Sequence, residues 1–138
     1  MITAVDHVQL AARPGTEDTL RAYYTGVLGM TEIPKPAVLA VNGGCWFQAG
    51  AVQLHLGMEA GHTPSDKAHP ALRVTGIRQY AEQLSRRGAR VQWENNLPGL
   101  LRFYSWDPAG NRIEFLESHA DSGSDPEPAQ SLPEPESR

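Results

Sequence analysis

The sequence predicts an α+β fold made of two copies of one unit, in which a strand and a helix are followed by three further strands. Three observations predict it: the elements repeat in order, metal-capable side chains recur at nearly equal spacing, and polar and apolar residues alternate along four strands. The two halves cover about residues 1–60 and 66–118, so we expect one domain over 1–118.

The first half opens with a predicted strand over 5–11 and continues with a helix. The helix is predicted from apolar residues that recur at spacings of three and four and form one stripe: Leu20, Tyr23, Tyr24, Val27 and Leu28. Thr16 is expected to cap the start of this helix, and Gly29 to end it. Strands follow near 31–33 and over 45–48 and 52–57.

The second half repeats this order. A strand over 70–74 precedes a helix with the same apolar spacing, formed by Ile77, Tyr80, Ala81 and Leu84. Arg86 and Arg87 lie in its expected last turn, where positive charge suits the helix dipole, and Gly88 follows. Strands over 90–94, 102–105 and 112–116 complete the half, and 107–111 is a turn signal between the last two.

Metal-capable side chains repeat with the elements. His7 and His69 lie early in the first strand of each half, 62 residues apart. His55 and Glu114 lie in the last strand of each half, 59 residues apart. Matching polar residues at matching points indicate a fold with pseudo-twofold symmetry and one site on its axis.

Alternation assigns a polar face to the strands, because side chains along a strand point to opposite faces with a period of two. The residues that share this face are, strand by strand, His7 with Gln9, Gln53 with His55, His69 with Arg73, and Arg112 with Glu114. The opposite, apolar face can pack on a helix, which leaves the polar face to hold a ligand. The candidate substrate-binding residues on the polar face are Gln9, Gln53, Arg73, Arg102 and Tyr104.

Composition and charge exclude several classes of protein. Of the 16 acidic and 12 basic residues, five acids and one base lie in 119–138, which leaves 11 of each in residues 1–118. A neutral domain without a basic stripe argues against nucleic acid as its partner. No apolar run suits a membrane span, and the first residues lack the pattern of a signal peptide. We therefore expect a cytoplasmic domain that binds a small molecule.

Three further interpretations concern residues outside this site. Residues 119–138 are acidic and rich in proline, so we expect a disordered tail. The single cysteine, Cys45, is interpreted as a small buried residue rather than a nucleophile. Glu117 is interpreted as a solvated charge near the end of a strand.

Four segments resemble the vicinal oxygen chelate superfamily, which includes glyoxalase I, fosfomycin-resistance and bleomycin-resistance proteins and extradiol dioxygenases. They are residues 6–10 (DHVQL), 23–30 (YYTGVLGM), 68–72 (AHPAL) and 103–114 (FYSWDPAGNRIE), the last resembling the closing hairpin of the family. The resemblance covers residues 1–118. It implies two βαβββ modules that form an open half-barrel mixed sheet, with the helices outside and a divalent metal inside. It also implies a homodimer, in which each site is often built from modules of two chains.

The resemblance also implies a set of metal ligands. His7, His69 and Glu114 match the ligand positions of the family, and His55 lies on the strand that gives glyoxalase I a further ligand, which there is a carboxylate. His55 is thus either a fourth ligand or a hydrogen-bonding group over the substrate. Such a set suits one divalent ion of Fe, Mn, Ni, Co or Zn. His55 and Glu114 are the candidate catalytic residues, since a neutral imidazole can accept a proton near neutral pH.

Three functions fit these expectations. The favoured one is a metal-dependent enzyme with lyase or isomerase chemistry of the glyoxalase type, acting on a small oxygenated substrate that chelates the metal through two atoms. The second is an Fe(II) dioxygenase that acts on a small substrate. The third is a metal-free protein that sequesters a drug or toxin, as bleomycin-resistance proteins do. A purely sequestering pocket has no need of two histidines and a carboxylate that converge.

Overall fold

The computed structural model describes residues 1–120. It contains the predicted elements in the predicted order, with one short helix between the second and third strands that was not predicted. The first half contains β1 (Val8–Ala12), α1 (Glu17–Arg21), β2 (Thr31–Ile33), α2 (Ala37–Ala40), β3 (Cys45–Ala49) and β4 (Val52–Met58). The second contains β5 (Ala71–Arg73), α3 (Ile77–Arg86), β6 (Gln92–Glu94), β7 (Leu100–Trp106) and β8 (Arg112–Ser118). Most of the predicted tail, from residue 121 on, lies outside the described residues. None of the helices within residues 1–120 is long and apolar enough to span a membrane.

The strands form two four-stranded mixed sheets with the same topology. Their orders are β1-β4-β3-β2 and β5-β8-β7-β6. In each sheet the first strand runs parallel to the last, and the remaining neighbours are antiparallel. Gln9 lies opposite His55 in the first sheet, and Ala71 lies opposite Glu114 in the second. The predicted fold class of two βαβββ modules is confirmed.

The first helix departs from its prediction. The α-helix ends at Arg21, and the chain continues as a π-helical segment over Ala22–Val27. The Thr25 hydroxyl donates a hydrogen bond of 2.5 Å to the carbonyl of Arg21, and such a bond competes with the backbone ladder of an α-helix. Thr16 precedes α1, but its hydroxyl donates to the Arg13 carbonyl and does not cap the helix.

One hydrophobic core serves both modules. Tyr24 stacks on Phe47 with ring centroids 5.0 Å apart, and Phe103 stacks on Phe115 at the same distance. Cys45 is buried, and burial raises the pKa of its thiol to about 11, which agrees with its interpretation as a core residue. Because the core occupies the apolar faces of both sheets, the polar faces are left for the site.

Glu117 is a buried residue, so its interpretation as a solvated charge was wrong. It lies on the apolar face of β8, where its carboxylate accepts hydrogen bonds from the backbone N–H groups of Gly76 (3.1 Å) and Ile77 (3.0 Å). These donors belong to the N-terminus of α3, whose orphan N–H groups and dipole favour a carboxylate. Glu117 therefore caps a helix from a distant strand.

Candidate functional site

The first module contributes a stack of three aromatic rings. His55 lies between Trp46 and His7, with ring centroids 3.9 and 4.0 Å away and planes tilted by 6° and 14°. The stack follows from the sheet, because Trp46 is the register partner of His55 on β3 and His7 directly precedes β1 on the other side of β4. The Asp6 carboxylate lies 2.9 Å from Nδ1 of His7 and orients that outer ring.

His55 is a buried, neutral imidazole. Burial lowers its pKa, and the neighbouring His7 lowers it further. Its Nε2 lies 3.0 Å from Oε1 of Gln53, which as an amide oxygen accepts the hydrogen. Nδ1 therefore carries the lone pair, and this buried atom has no hydrogen-bond partner within residues 1–120. His55 thus holds a lone pair that can accept a proton or bind a metal.

The second module brings His69 and Glu114 together. Nε2 of His69 lies 2.9 Å from Oε1 of Glu114, while Nδ1 lies 2.7 Å from the carbonyl oxygen of Lys67. Both ring nitrogens thus face oxygen acceptors. Two forms of the imidazole make both contacts favourable. In one, both nitrogens are protonated and donate to the two oxygens; in the other, Nδ1–H donates to the Lys67 carbonyl, and Nε2 and the Glu114 carboxylate share a metal cation. Orientation by a backbone carbonyl through the second nitrogen is typical of metal-binding histidines.

Arg102 holds the other oxygen of Glu114. Its Nη1 lies 3.3 Å from Oε2 of Glu114 and also donates to the Tyr104 hydroxyl at 3.0 Å. Nη2 donates to Oδ1 of Asn96 at 2.7 Å. Asn96 was not predicted, because it lies in the loop before β7, where alternation gives no signal.

A second guanidinium lies close by. Arg112 lies over the Tyr104 ring, 4.9 Å from its centroid, and Nη2 of Arg112 donates to the carbonyl of Asp66. Trp106 is the register partner of Arg112 on β7, and Tyr104 is the register partner of Glu114. The polar face of the second sheet therefore carries two guanidinium groups, Arg102 and Arg112, together with the carboxylates of Glu114 and Glu94.

The remaining predicted residues lie on the same polar faces. Gln53 contacts His55, as described. The Gln9 amide packs over Gly57, where a Cβ atom would lie 2.6 Å from Nε2 of Gln9. Arg73 is exposed on β5, the edge strand of the second sheet.

The four predicted metal ligands form two pairs, His7 with His55 and His69 with Glu114. Within residues 1–120 of one chain, no group of three or more His, Cys, Asp or Glu side chains could hold a metal ion. The stack explains part of this result, because an imidazole binds a metal in its own ring plane, and two stacked parallel planes share no metal position. Convergence of all four side chains on one ion stays a prediction.

Comparison with solved structures assigns the family. The chain is 44% identical to a protein of Bacillus anthracis assigned to the glyoxalase family, with a TM-score of 0.84 over 86% of this chain and 97% of that one. The chain belongs to the glyoxalase family. This places it in the vicinal oxygen chelate superfamily, as its four sequence segments predicted. No family model and no curated protein matches it.

More distant structures share the fold of this glyoxalase family member. The FosX fosfomycin-resistance protein of Listeria monocytogenes, as a mutant in complex with Mn(II) and 1S,2S-dihydroxypropylphosphonic acid, has a TM-score of 0.72 at 13% identity, over 88% of this chain and 97% of that one. TnmS3, an antibiotic-binding protein of Streptomyces sp. CB03234, has a TM-score of 0.65 at 20% identity, over 85% and 99%. The same fold thus occurs in a protein found with Mn(II) and in an antibiotic-binding protein.

Proposed function

We propose that this chain is a divalent-metal-dependent enzyme that acts on a small oxygenated substrate with lyase or isomerase chemistry of the glyoxalase type. The observation that carries the proposal is the pair of His69 and Glu114, because both nitrogens of the imidazole face oxygen acceptors at 2.7 and 2.9 Å. A divalent cation between the ring and the carboxylate satisfies this arrangement. The Mn(II) found with FosX supports a metal at the level of the superfamily.

Each residue of the site has a proposed role. His7, His69 and Glu114 would hold the ion, which as a Lewis acid would polarise the substrate oxygens. His55 would accept the proton that the substrate loses, because it is neutral, carries an unpaired lone pair on Nδ1 and is fixed by Gln53 and by the ring stack. This division of roles leaves His7 free to turn out of the stack toward the ion.

We further propose a homodimer in which the ring stack of one copy faces the His69–Glu114 pair of its partner. Two observations support it. The edge strands β1 and β5 are available for pairing or covering, and the exposed apolar residues Met1, Ile2 and Val5 lie in the segment before β1. In addition, two cavities of about 490 and 230 Å³ among residues 1–120 contain none of the predicted site residues. An open polar face becomes an enclosed site when a second sheet covers it.

The dimer has a direct test. Sedimentation velocity at micromolar concentration, with and without Mn(II), is expected to give the mass of two chains. A monomer in the presence of metal would contradict the proposal, because the two pairs would then have no second chain to complete them.

Metal binding is tested by calorimetric titration of Mn(II), Fe(II), Ni(II) and Zn(II) into apoprotein. We expect at least one ion to bind much more tightly than millimolar. The affinity should fall as the pH drops through about 6.5, where an unperturbed imidazole takes up a proton that competes with the metal. If no ion binds more tightly than roughly millimolar, which corresponds to about −4 kcal/mol, the enzyme proposal fails.

The second candidate function is a metal-free protein that sequesters a small molecule. It is favoured by the division of the four side chains into two pairs in one chain, and by the fold shared with the antibiotic-binding TnmS3. The same titration separates the candidates, because a sequestering protein needs no tight metal site.

A further inference from the structure

The smaller of the two cavities, of about 230 Å³, lies where the two modules meet. Its walls come from three segments: α1 with the loop before it, the linker between the modules, and the turn between β7 and β8. No predicted metal ligand or substrate-binding residue lines this cavity. It is therefore a separate feature from the polar faces of the sheets, and the proposed function gives it no role.

The walls of this junction cavity are fixed to one another. Pro64 of the linker packs on Gly110 of the turn, where a Cβ atom would lie 2.8 Å from Cγ of Pro64. The Asn111 amide donates a hydrogen bond of 2.8 Å to the carbonyl of Ala11, which joins the same turn to β1. The cavity is therefore already formed without a ligand, as small-molecule sites usually are.

His62 is a buried residue of the cavity wall whose hydrogen-bonding groups are unused. It is 9% exposed, and its Nε2 is buried without a partner within residues 1–120. The carboxylate of Glu59, whose side chain is 65% exposed, lies 3.7 Å from Nδ1, which is beyond hydrogen-bond distance. A buried polar atom without a partner costs free energy, and a polar group of a ligand can recover it. Because no hydrogen bond fixes the ring, it can turn about its terminal torsion and present Nε2 to the cavity.

The other lining residues combine carbon surface with one cation. Leu20, Pro64, Pro108 and Ala109 supply the carbon surface. Arg13 also lines the cavity, is exposed to solvent and forms no ion pair within residues 1–120. None of the lining residues is acidic. An apolar molecule that carries a single carboxylate suits such a lining, because one guanidinium balances one negative charge.

We propose that the junction cavity binds a small monocarboxylic acid as its carboxylate, of the size of isobutyrate or benzoate. The carbon skeleton lies against Leu20 and the two prolines, Arg13 pairs with the carboxylate, and Nε2 of His62 donates to one of its oxygens. Inorganic phosphate is a poor match, because its charge would face one guanidinium and a largely apolar wall. The ligand is a free small molecule, since the enclosed volume leaves no room for a peptide segment.

The test uses probes that separate charge from apolar surface. Benzoate is compared with benzamide, its neutral isostere, with acetate, which lacks the skeleton, and with inorganic phosphate. Titrations into the apoprotein are followed through backbone amide signals in ¹H–¹⁵N NMR spectra of the full chain. The variants are Arg13→Gln, His62→Phe and Ala109→Leu, and the matched control is Arg86→Gln, which removes an exposed guanidinium from α3. Thermal unfolding of each variant shows whether it folds.

We expect benzoate to bind the wild type with a Kd below about 1 mM, and the other three probes to bind at least about tenfold more weakly. Arg13→Gln and His62→Phe should each lower the affinity for benzoate at least about fivefold, because each removes a hydrogen-bond donor of the carboxylate. Ala109→Leu should abolish binding, because the larger side chain fills the cavity. Arg86→Gln should leave the affinity unchanged.

The position of the bound acid is read from the same spectra. Benzoate should shift the amide signals of Leu20, His62 and Ala109, which lie around the cavity. If the shifts concentrate instead around Arg102 and Glu114, the acid binds the polar face and the proposal is wrong.

Two further results would overturn the proposal. If benzamide binds as tightly as benzoate, the carboxylate is not recognised. If benzoate binds no more tightly than about 1 mM, the cavity is a solvent pocket. Both comparisons use the wild type, so they decide the question even where a cavity variant does not fold.

Discussion

Glu114→Gln is expected to weaken the binding of a divalent metal by at least about 100-fold. The exchange keeps the volume of the side chain but removes the carboxylate charge next to His69, and hard divalent ions depend on such charged oxygen donors. Loss of a group that merely orients a ligand already costs about 10–100-fold, so loss of the ligand itself should cost more. Calorimetric titration of the favoured ion into the wild type and the variant measures the ratio.

Two other variants serve as comparisons for this loss. His55→Gln is expected to weaken metal binding less than Glu114→Gln, because His55 is assigned to proton transfer and its ring lies parallel to His7. Glu82→Gln removes an exposed carboxylate from α3 and should leave the affinity unchanged. If His55→Gln costs more than Glu114→Gln, the proposed roles of the two residues would have to be exchanged.

Asp107→Ala is expected to lower the free energy of unfolding by roughly 3–5 kcal/mol. Asp107 is 4% exposed and accepts hydrogen bonds from the Tyr24 hydroxyl (2.7 Å), from the Asn111 amide (2.9 Å) and from the backbone N–H groups of Ala109 and Asn111. Burial raises the pKa of Tyr24, so its hydroxyl stays a donor at any ordinary pH. Removing the carboxylate leaves several buried donors unpaired and cuts a link between the two modules.

Urea denaturation followed by circular dichroism measures this loss. Tyr24→Phe is the matched comparison, because it removes one donor and leaves the carboxylate with its other partners. We expect Tyr24→Phe to lower the free energy of unfolding by about 1–2 kcal/mol. If Asp107→Ala lowers the free energy of unfolding by less than about 1 kcal/mol, the backbone N–H groups of the 107–111 turn and the Tyr24 hydroxyl must find other hydrogen-bond acceptors.

The sequence predicted the features that depend on local periodicity. The period of two along the strands assigned His55, Glu114 and Arg102 to the polar faces, and the helical spacing located the buried face of α3. The extent of the first helix was predicted less well, since the bond from Thr25 to the Arg21 carbonyl and the buried tyrosines of the π-helical segment depend on packing. Propensity is a weak guide to such a change of helix type.

The pairing of the site residues could not be predicted, because it depends on contacts between distant segments. Repeat spacing placed four metal-capable side chains on polar faces, but the ring stack depends on Trp46 lying opposite His55 across β3 and β4. Asn96 contacts Arg102 from an irregular loop. Glu117 was misinterpreted for a similar reason, since its partners lie about forty residues earlier in the chain.

The cap that Glu117 provides has a consequence for the order of folding. Gly76 is the N-cap residue of α3, has a φ of 64° and has no side chain that could accept a hydrogen bond from the N–H groups of the first turn. The segment itself therefore carries no capping signal that would help the helix to nucleate there. The first turn gains its acceptor only after β8 has docked. We therefore expect α3 and β8 to form one cooperative unit that is protected from hydrogen exchange together and opens together.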